Sequence, residues 1–161
     1  MDRADYAALA RERAHALYLG ERTPHRSCGI ALAETFGLPS RAYQALRKGG
    51  LTGEGSCGAV QAGILVLGDL LGDPSPTGGV TAELRTAVLQ YRTTIAGKIS
   101  GTVETSCNAR TAPFGDFSAR PRLLHCTDLA ALVAETVAEV LWDLGRPAPI
   151  PSPPWDSVPA R

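Results

Sequence analysis

The chain has 161 residues, 44% of them apolar and 20% charged, with 16 acidic and 16 basic side chains that leave a formal net charge of zero. That length suits one domain with a real core. Its even, scattered charge gives no electrostatic footprint for nucleic acid or an anionic membrane surface as partner.

The first helix is expected over Asp2 to Leu19, closed by Gly20. Tyr6, Leu9, Ala10, Ala14, Leu17 and Tyr18 form its inner side, and Arg11, Glu12 and Arg13 are expected in solvent. This amino-terminal stretch mixes charge into its apolar residues and lacks the uncharged run of a signal peptide. A cytoplasmic location is the expectation, and there persistent disulfides are rare. After a loop with Pro24 and His25, a second helix is expected from Cys28 to Phe36, and a short third from Pro39 or Ser40 to about Lys48.

GGLTGEG, Gly49 to Gly55, then leads flexibly into a helix starting near Cys57. Cys57, Val60, Ile64, Leu67 and Leu71 fall on one stripe, and Ala59, Ala62, Gly63, Val66 and Leu70 on a second. Such a helix is expected to be central and buried on most of its circumference. Its longest apolar stretch, Ala59 to Leu71, is broken by Gln61 and Asp69 and is too short to cross a bilayer. Gly58, Ala59, Ala62 and Gly63 invite close approach of another backbone, and the Ala/Gly-rich surfaces allow a homodimer.

DPSPTGG is a loop by its prolines and glycines. Val80 to about Ile95 repeats the helical pattern, with Leu84, Val88, Tyr91 and Ile95 on one face and Tyr91 and Arg92 at core edge and surface. Gly97 to His125 is too rich in Gly, Ser, Thr and Pro for a helix beyond a turn or two at Cys107. Lys98, Glu104 and the hydroxyls of Ser100, Thr102, Thr105 and Ser106 make it either a polar loop or a recognition segment. The last helix is expected from Thr127 to Leu144, with Asp128 in its first turn. The expected architecture is an all-α, single-domain bundle of about five or six helices over residues 1–145, with a long irregular segment before the last helix. Residues 146–161 form a Pro-rich extended tail, either a docking peptide anchored by Trp155 or a terminus whose Trp155 tucks against the body.

Four cysteines carry the functional signal. Cys28, Cys57 and Cys126 are expected at helix starts, where unpaired N–H groups and the helix dipole favour a thiolate, and Cys107 in the irregular segment. Whole elements separate them, and no CxxC pair is present, which disfavours a zinc ribbon or thioredoxin-like chemistry. His125, beside Cys126, and His25, three residues before Cys28, are candidate ligands or proton carriers, or surface histidines; His15 reads as solvated.

In these residues the chain resembles the C_GCAxxG_C_C family, small helical redox-active proteins with four characteristic cysteines, related to a domain of the split-Soret cytochromes. Cys28 stands for the first cysteine; Cys57, Gly58, Ala59 and Gly63 stand for the central CGAxxxG element. Cys107 in TSCNAR and Cys126 stand for the third and fourth. The resemblance spans about Arg26 to Leu144, and the Pro-rich tail and the segment around Cys107 depart from the family pattern. It implies a redox role in which the four cysteines converge. In the cytochrome relatives this region is associated with a 2Fe–2S cluster, so an iron–sulfur cluster held by Cys28, Cys57, Cys107 and Cys126 is the leading expectation. The chain has no CxxCH, so the haem of those relatives does not carry over. Such a protein would serve electron transfer or cluster-based oxidoreductase chemistry with a redox partner protein or a small-molecule substrate. Two other readings stand beside it: a metal-free thiol–disulfide redox protein, and an interaction module whose four cysteines clamp a structural metal.

Overall fold

The computed structural model describes residues 1–153 and Trp155. Within them the chain is all-α: helices α1 (Arg3–Leu19), α2 (Cys28–Thr35), α3 (Gly58–Leu71), α4 (Ala82–Lys98), α5 (Cys107–Thr111) and α6 (Arg120–Asp143), with 3-10 turns at Arg41–Leu46 and Ala112–Phe114. No helix among the described residues is long and apolar enough to cross a membrane.

Local chemistry sets these boundaries. Asp2 and Asp5 form a reciprocal capping box on α1, and Gly20 closes it in the left-handed conformation, φ 79°. Thr81 caps α4 by accepting from the Leu84 N–H. Thr81 also donates its hydroxyl to the Leu71 carbonyl, tying the end of α3 to the start of α4.

The hub is α6, which packs on α1, α2, α3 and α4, its longest interface being with α1. Val133, Val137, Val140 and Leu141 of α6 meet Val60, Val66 and Leu67 of α3 in the core. Burying each such side chain contributes roughly 1.5–3 kcal/mol. Thus α3, although it packs on three helices, shares the central role with α6 and leaves Leu65 exposed.

Three sequence expectations need correction. The last helix begins at Arg120, not Thr127, with Pro121 in its first turn, where a missing N–H costs nothing. The irregular segment therefore shrinks: α5 and a 3-10 turn occupy much of it, and Asp128 sits in the third turn of α6 rather than the first. Arg13 is buried, not solvated: its Nε donates to the Glu34 carbonyl while its guanidinium lies 5.7 Å from the centre of the Trp155 ring. Tyr91 is fully buried rather than at the core edge. Its hydroxyl donates to the Val60 carbonyl at 2.9 Å, in space that exists because residue 63 is glycine; a Cβ there would lie 2.3 Å from the Tyr91 oxygen.

Beyond Gly145 the chain folds back over α1. Tyr6 donates its hydroxyl to the Ala148 carbonyl at 2.8 Å, and Trp155 settles beside Arg13 and Arg22. Pro154 and residues 156–161 of the expected tail lie outside the described residues.

Candidate functional site

Four elements bring the cysteines to one place. Cys28 is the first residue of α2, Cys57 caps α3, Cys107 opens α5, and Cys126 lies in the second turn of α6. The cysteine without a helix-start position is therefore Cys126, not Cys107, because α6 starts earlier than its sequence suggests.

The glycine-rich approach to α3 is what joins them. The Cys107 N–H donates to the Gly55 carbonyl at 2.9 Å and the Asn108 N–H to the Gly53 carbonyl at 2.8 Å, so the loop is stitched to the start of α5. Gly49, at φ 58°, lies so close that a Cβ would sit 2.5 Å from the Gly55 oxygen and 2.8 Å from the Cys107 Cβ. Gly58 does the same for Cys28: a Cβ there would meet the Leu46 carbonyl oxygen at 2.3 Å and the Cys28 sulfur at 2.6 Å. The Cys28 thiol in turn faces the Leu46 carbonyl at 3.9 Å.

All four cysteines line a single enclosed cavity of about 30 Å³. Lys48, Arg110, Phe117 and Leu129 complete its wall. The thiols are free, with no disulfide among them. Among the described residues, no three His, Cys, Asp or Glu side chains are set as the ligands of a single metal ion. What the cavity offers is a set of four soft sulfur donors facing a common space, the donor chemistry an iron–sulfur cluster requires.

Burial dominates the electrostatics. It pushes the Cys28 thiol up to about 12, with Cys57 adding to the rise and the Gly29 N–H opposing it. Cys57 is also raised by burial, against the N–H groups of Val60 and Ala59 and the charge of Arg110. Cys107 is raised by burial and then by Cys57 and Cys126, with Arg122 and Lys48 pulling the other way. The expectation that helix starts favour thiolates is thus overturned in sign for Cys28 and Cys57, and Cys107, at a helix start the sequence did not show, is raised as well. The helix N–H groups act as expected, but desolvation outweighs them.

Two side chains stand out because their charge is uncompensated. Arg110 is 6% exposed and Arg122 9%. Arg110 donates to the Ser100 and Thr102 carbonyls, and Arg122 to the Tyr18 hydroxyl. Neither has a carboxylate partner among the described residues, and the Nε of each is buried without a hydrogen-bond partner there. Buried cations are normally paired. Sulfurs are among the groups that feel their charge: Cys57 that of Arg110, Cys107 that of Arg122, alongside His125 and Tyr18.

Sequence reasoning missed both arginines, together with Tyr18, Lys48 and Phe117. The signal for the arginines was present, since Arg110 follows Cys107 by three positions and Arg122 precedes Cys126 by four, one face in each helix. Tyr18 carried no such signal. Its buried hydroxyl interacts with Cys126 and Cys28, and burial holds that hydroxyl protonated. Phe117 lies at the surface between Lys48 and Arg122, whose charged groups are 5.2 and 4.2 Å from its ring centre.

The histidines do not join the sulfurs. His25 is exposed and pairs with the Tyr18 carbonyl, its ring edge-on to the Tyr18 ring at 4.9 Å. His125 stacks on Phe114 at 4.1 Å and faces a neighbouring cleft. His15 lies 3.9 Å from Asp128. The polar segment before Cys107 is scaffolding in part: it supplies the two carbonyls that hold Arg110, and Glu104 pairs with Arg92.

The raised thiols make a sign-definite prediction for reduced, metal-free protein. A folded-state value above the ordinary 9.0 contributes stability that is fully present below that value and is lost as pH climbs towards about 12. Each unit above about 9 costs up to ~1.4 kcal/mol for Cys28 alone. The melting temperature should therefore fall by at least ~3 °C between pH 7 and pH 10. A flat profile would show that the thiols are not desolvated as described.

The fold and site together define a class, an all-α four-cysteine protein with its sulfurs around one buried cavity. Compared with known protein families, curated proteins and solved structures, the chain matches none.

Proposed function

We propose that this is a redox protein whose Cys28, Cys57, Cys107 and Cys126 hold an iron–sulfur cluster, most simply 2Fe–2S, as the sequence resemblance implies. The supporting observation is the four thiols around one cavity flanked by two buried guanidiniums without carboxylate partners among the described residues. Four thiolates around such a core make it a dianion when oxidised, and Arg110 in the cavity wall and Arg122, whose charge Cys107 feels, supply opposite charge.

When bound, the cluster supplies one-electron chemistry. The protein's part is to bind it and set its surroundings. The four cysteines give up their protons on loading, so affinity rises with pH. N–H groups of Gly29, Ala59 and Val60 hydrogen-bond the Cys28 and Cys57 sulfurs and favour their anionic form. The buried Tyr18 hydroxyl, held protonated, lies against Cys126 as a further donor. Phe117, Leu129 and the first turn of α3 exclude bulk water, while the surface position of Phe117 offers the short way in for an electron from a partner protein. Free thiols of this kind suit a reducing, cytoplasmic setting. Metal-free thiol–disulfide exchange is less well supported, because burial keeps the attacking thiols protonated near neutral pH.

Anaerobic reconstitution of the full chain with ferrous iron and sulfide tests this. Bound iron and acid-labile sulfide in equal amounts are expected, with visible absorption that bleaches on dithionite and is lost in Cys57→Ser. A colourless product without iron, or tightly held zinc with no redox response, would overturn the assignment.

A further inference from the structure

Beside the sulfur cavity lies a second, more open cleft of about 340 Å³, at the small end of ligand pockets. It is assembled from α1, the end of α4, α5 and α6, and it shares Arg110 and Leu129 with the sulfur cavity. Its chemistry is one-sided. Arg11, Lys98, Ser100, Arg110 and His125 are donors, whereas the only carboxylate in its wall among the described residues is Asp128, which is largely solvated.

Much of that donor capacity is unspent. Arg11 gives one N–H to Glu135, Lys98 bonds Glu139 and Thr136, and the Nε2 of His125 and the Nε of Arg110 have no partner among the described residues. Glu135 and Glu139 neutralise Arg11 and Lys98, which leaves the buried Arg110 as the uncompensated charge facing the cleft. The opposite side is apolar, made by Ile99, Leu129 and Leu132.

The geometry points to a binding site for a small organic monoanion, a short-chain carboxylate whose oxygens take the Arg11, Lys98 and Ser100 donors and whose alkyl part lies on Leu129 and Leu132. An acceptor-rich head fits a wall that is almost all donors, and a short apolar tail fits the remainder. The site stands apart from the cluster assignment, since none of its distinguishing residues is a cysteine. Through Arg110, however, the two share one positive charge, so an anion in the cleft and negative charge on the sulfurs oppose each other.

The test uses the full chain, reduced and metal-free, titrated with butyrate and followed by NMR of the His125 ring and the Arg11 side chain. Saturable shifts at both are expected. Lys98→Gln should weaken binding about fivefold, while Glu135→Gln, which frees Arg11, should tighten it. Equal binding of butyramide would overturn the anionic part, and equal binding of inorganic phosphate would overturn the apolar part. No saturable shift at all would overturn the site. Because iron is absent throughout, none of these outcomes bears on the cluster assignment, and failure of iron reconstitution leaves the cleft untouched.

Discussion

Gly58→Ala is expected to cost the protein ~1–3 kcal/mol and to prevent iron loading, although it adds a single methyl group and improves helix propensity. The new Cβ would stand 2.3 Å from the Leu46 carbonyl oxygen and 2.6 Å from the Cys28 sulfur. A flexible side chain could retreat from such a contact. A backbone carbonyl closing the 3-10 turn Arg41–Leu46 cannot do so without moving that turn away from α3. Moving it also displaces Cys28, whose thiol leans on the same carbonyl. Gly68→Ala is the matched control in the same helix, where a Cβ meets nothing within 4 Å. There the substitution should stabilise by ~0.5–1 kcal/mol, the ordinary helical advantage of alanine. Thermal melts and iron content of the two variants check this together. If Gly58→Ala melted with the parent, the close approach of α3 to the 3-10 turn would be wrong, and with it the packing that brings Cys28 to Cys57.

The contrast between those two glycines shows how far the sequence could be read. The CGAxxxG pattern announced close packing at the start of α3, and the structure gives each small residue a distinct neighbour: Leu46 for Gly58, and Tyr91 for Gly63. The pattern could not name those neighbours, because they come from a 3-10 turn and a helix outside its window. The all-α class was legible for the same local reason, since 3.6-residue periodicity and caps operate within a few turns. The start of α6 was not legible. ARPRLLH reads as a break because proline usually ends a helix, whereas here Pro121 opens one. That error placed Cys126 at a helix tip and hid Arg122, which is on the same helix as Cys126 only if the helix reaches back to Arg120. The pKa direction was illegible in principle. Helix-start placement is a local property that lowers a thiol, whereas desolvation depends on everything packed around it and here prevails.

Arg122→Met should act with opposite sign on the metal-free and the loaded protein. In the metal-free state near neutral pH the raised Cys107 thiol that feels Arg122 is protonated and neutral, so the guanidinium is a buried cation whose hydrogen-bond acceptor among the described residues is the Tyr18 hydroxyl. Methionine replaces the guanidinium that sits over the Phe117 ring with an apolar thioether and removes the charge, so stability should hold or rise by ~1–3 kcal/mol. Once the four sulfurs carry negative charge, the same substitution removes a counter-charge. The loaded protein should release iron faster, and its reduction potential should drop by on the order of 50–100 mV, because the more negative reduced state loses more than the oxidised one. Arg122→Lys should recover most of the potential, since it restores charge without restoring the guanidinium's geometry. Melting curves of the metal-free forms and redox titrations of the loaded forms measure the two halves separately. A variant destabilised in the metal-free state with an unchanged potential when loaded would mean that Arg122 serves packing alone, and the charge argument for an anionic centre would rest on Arg110.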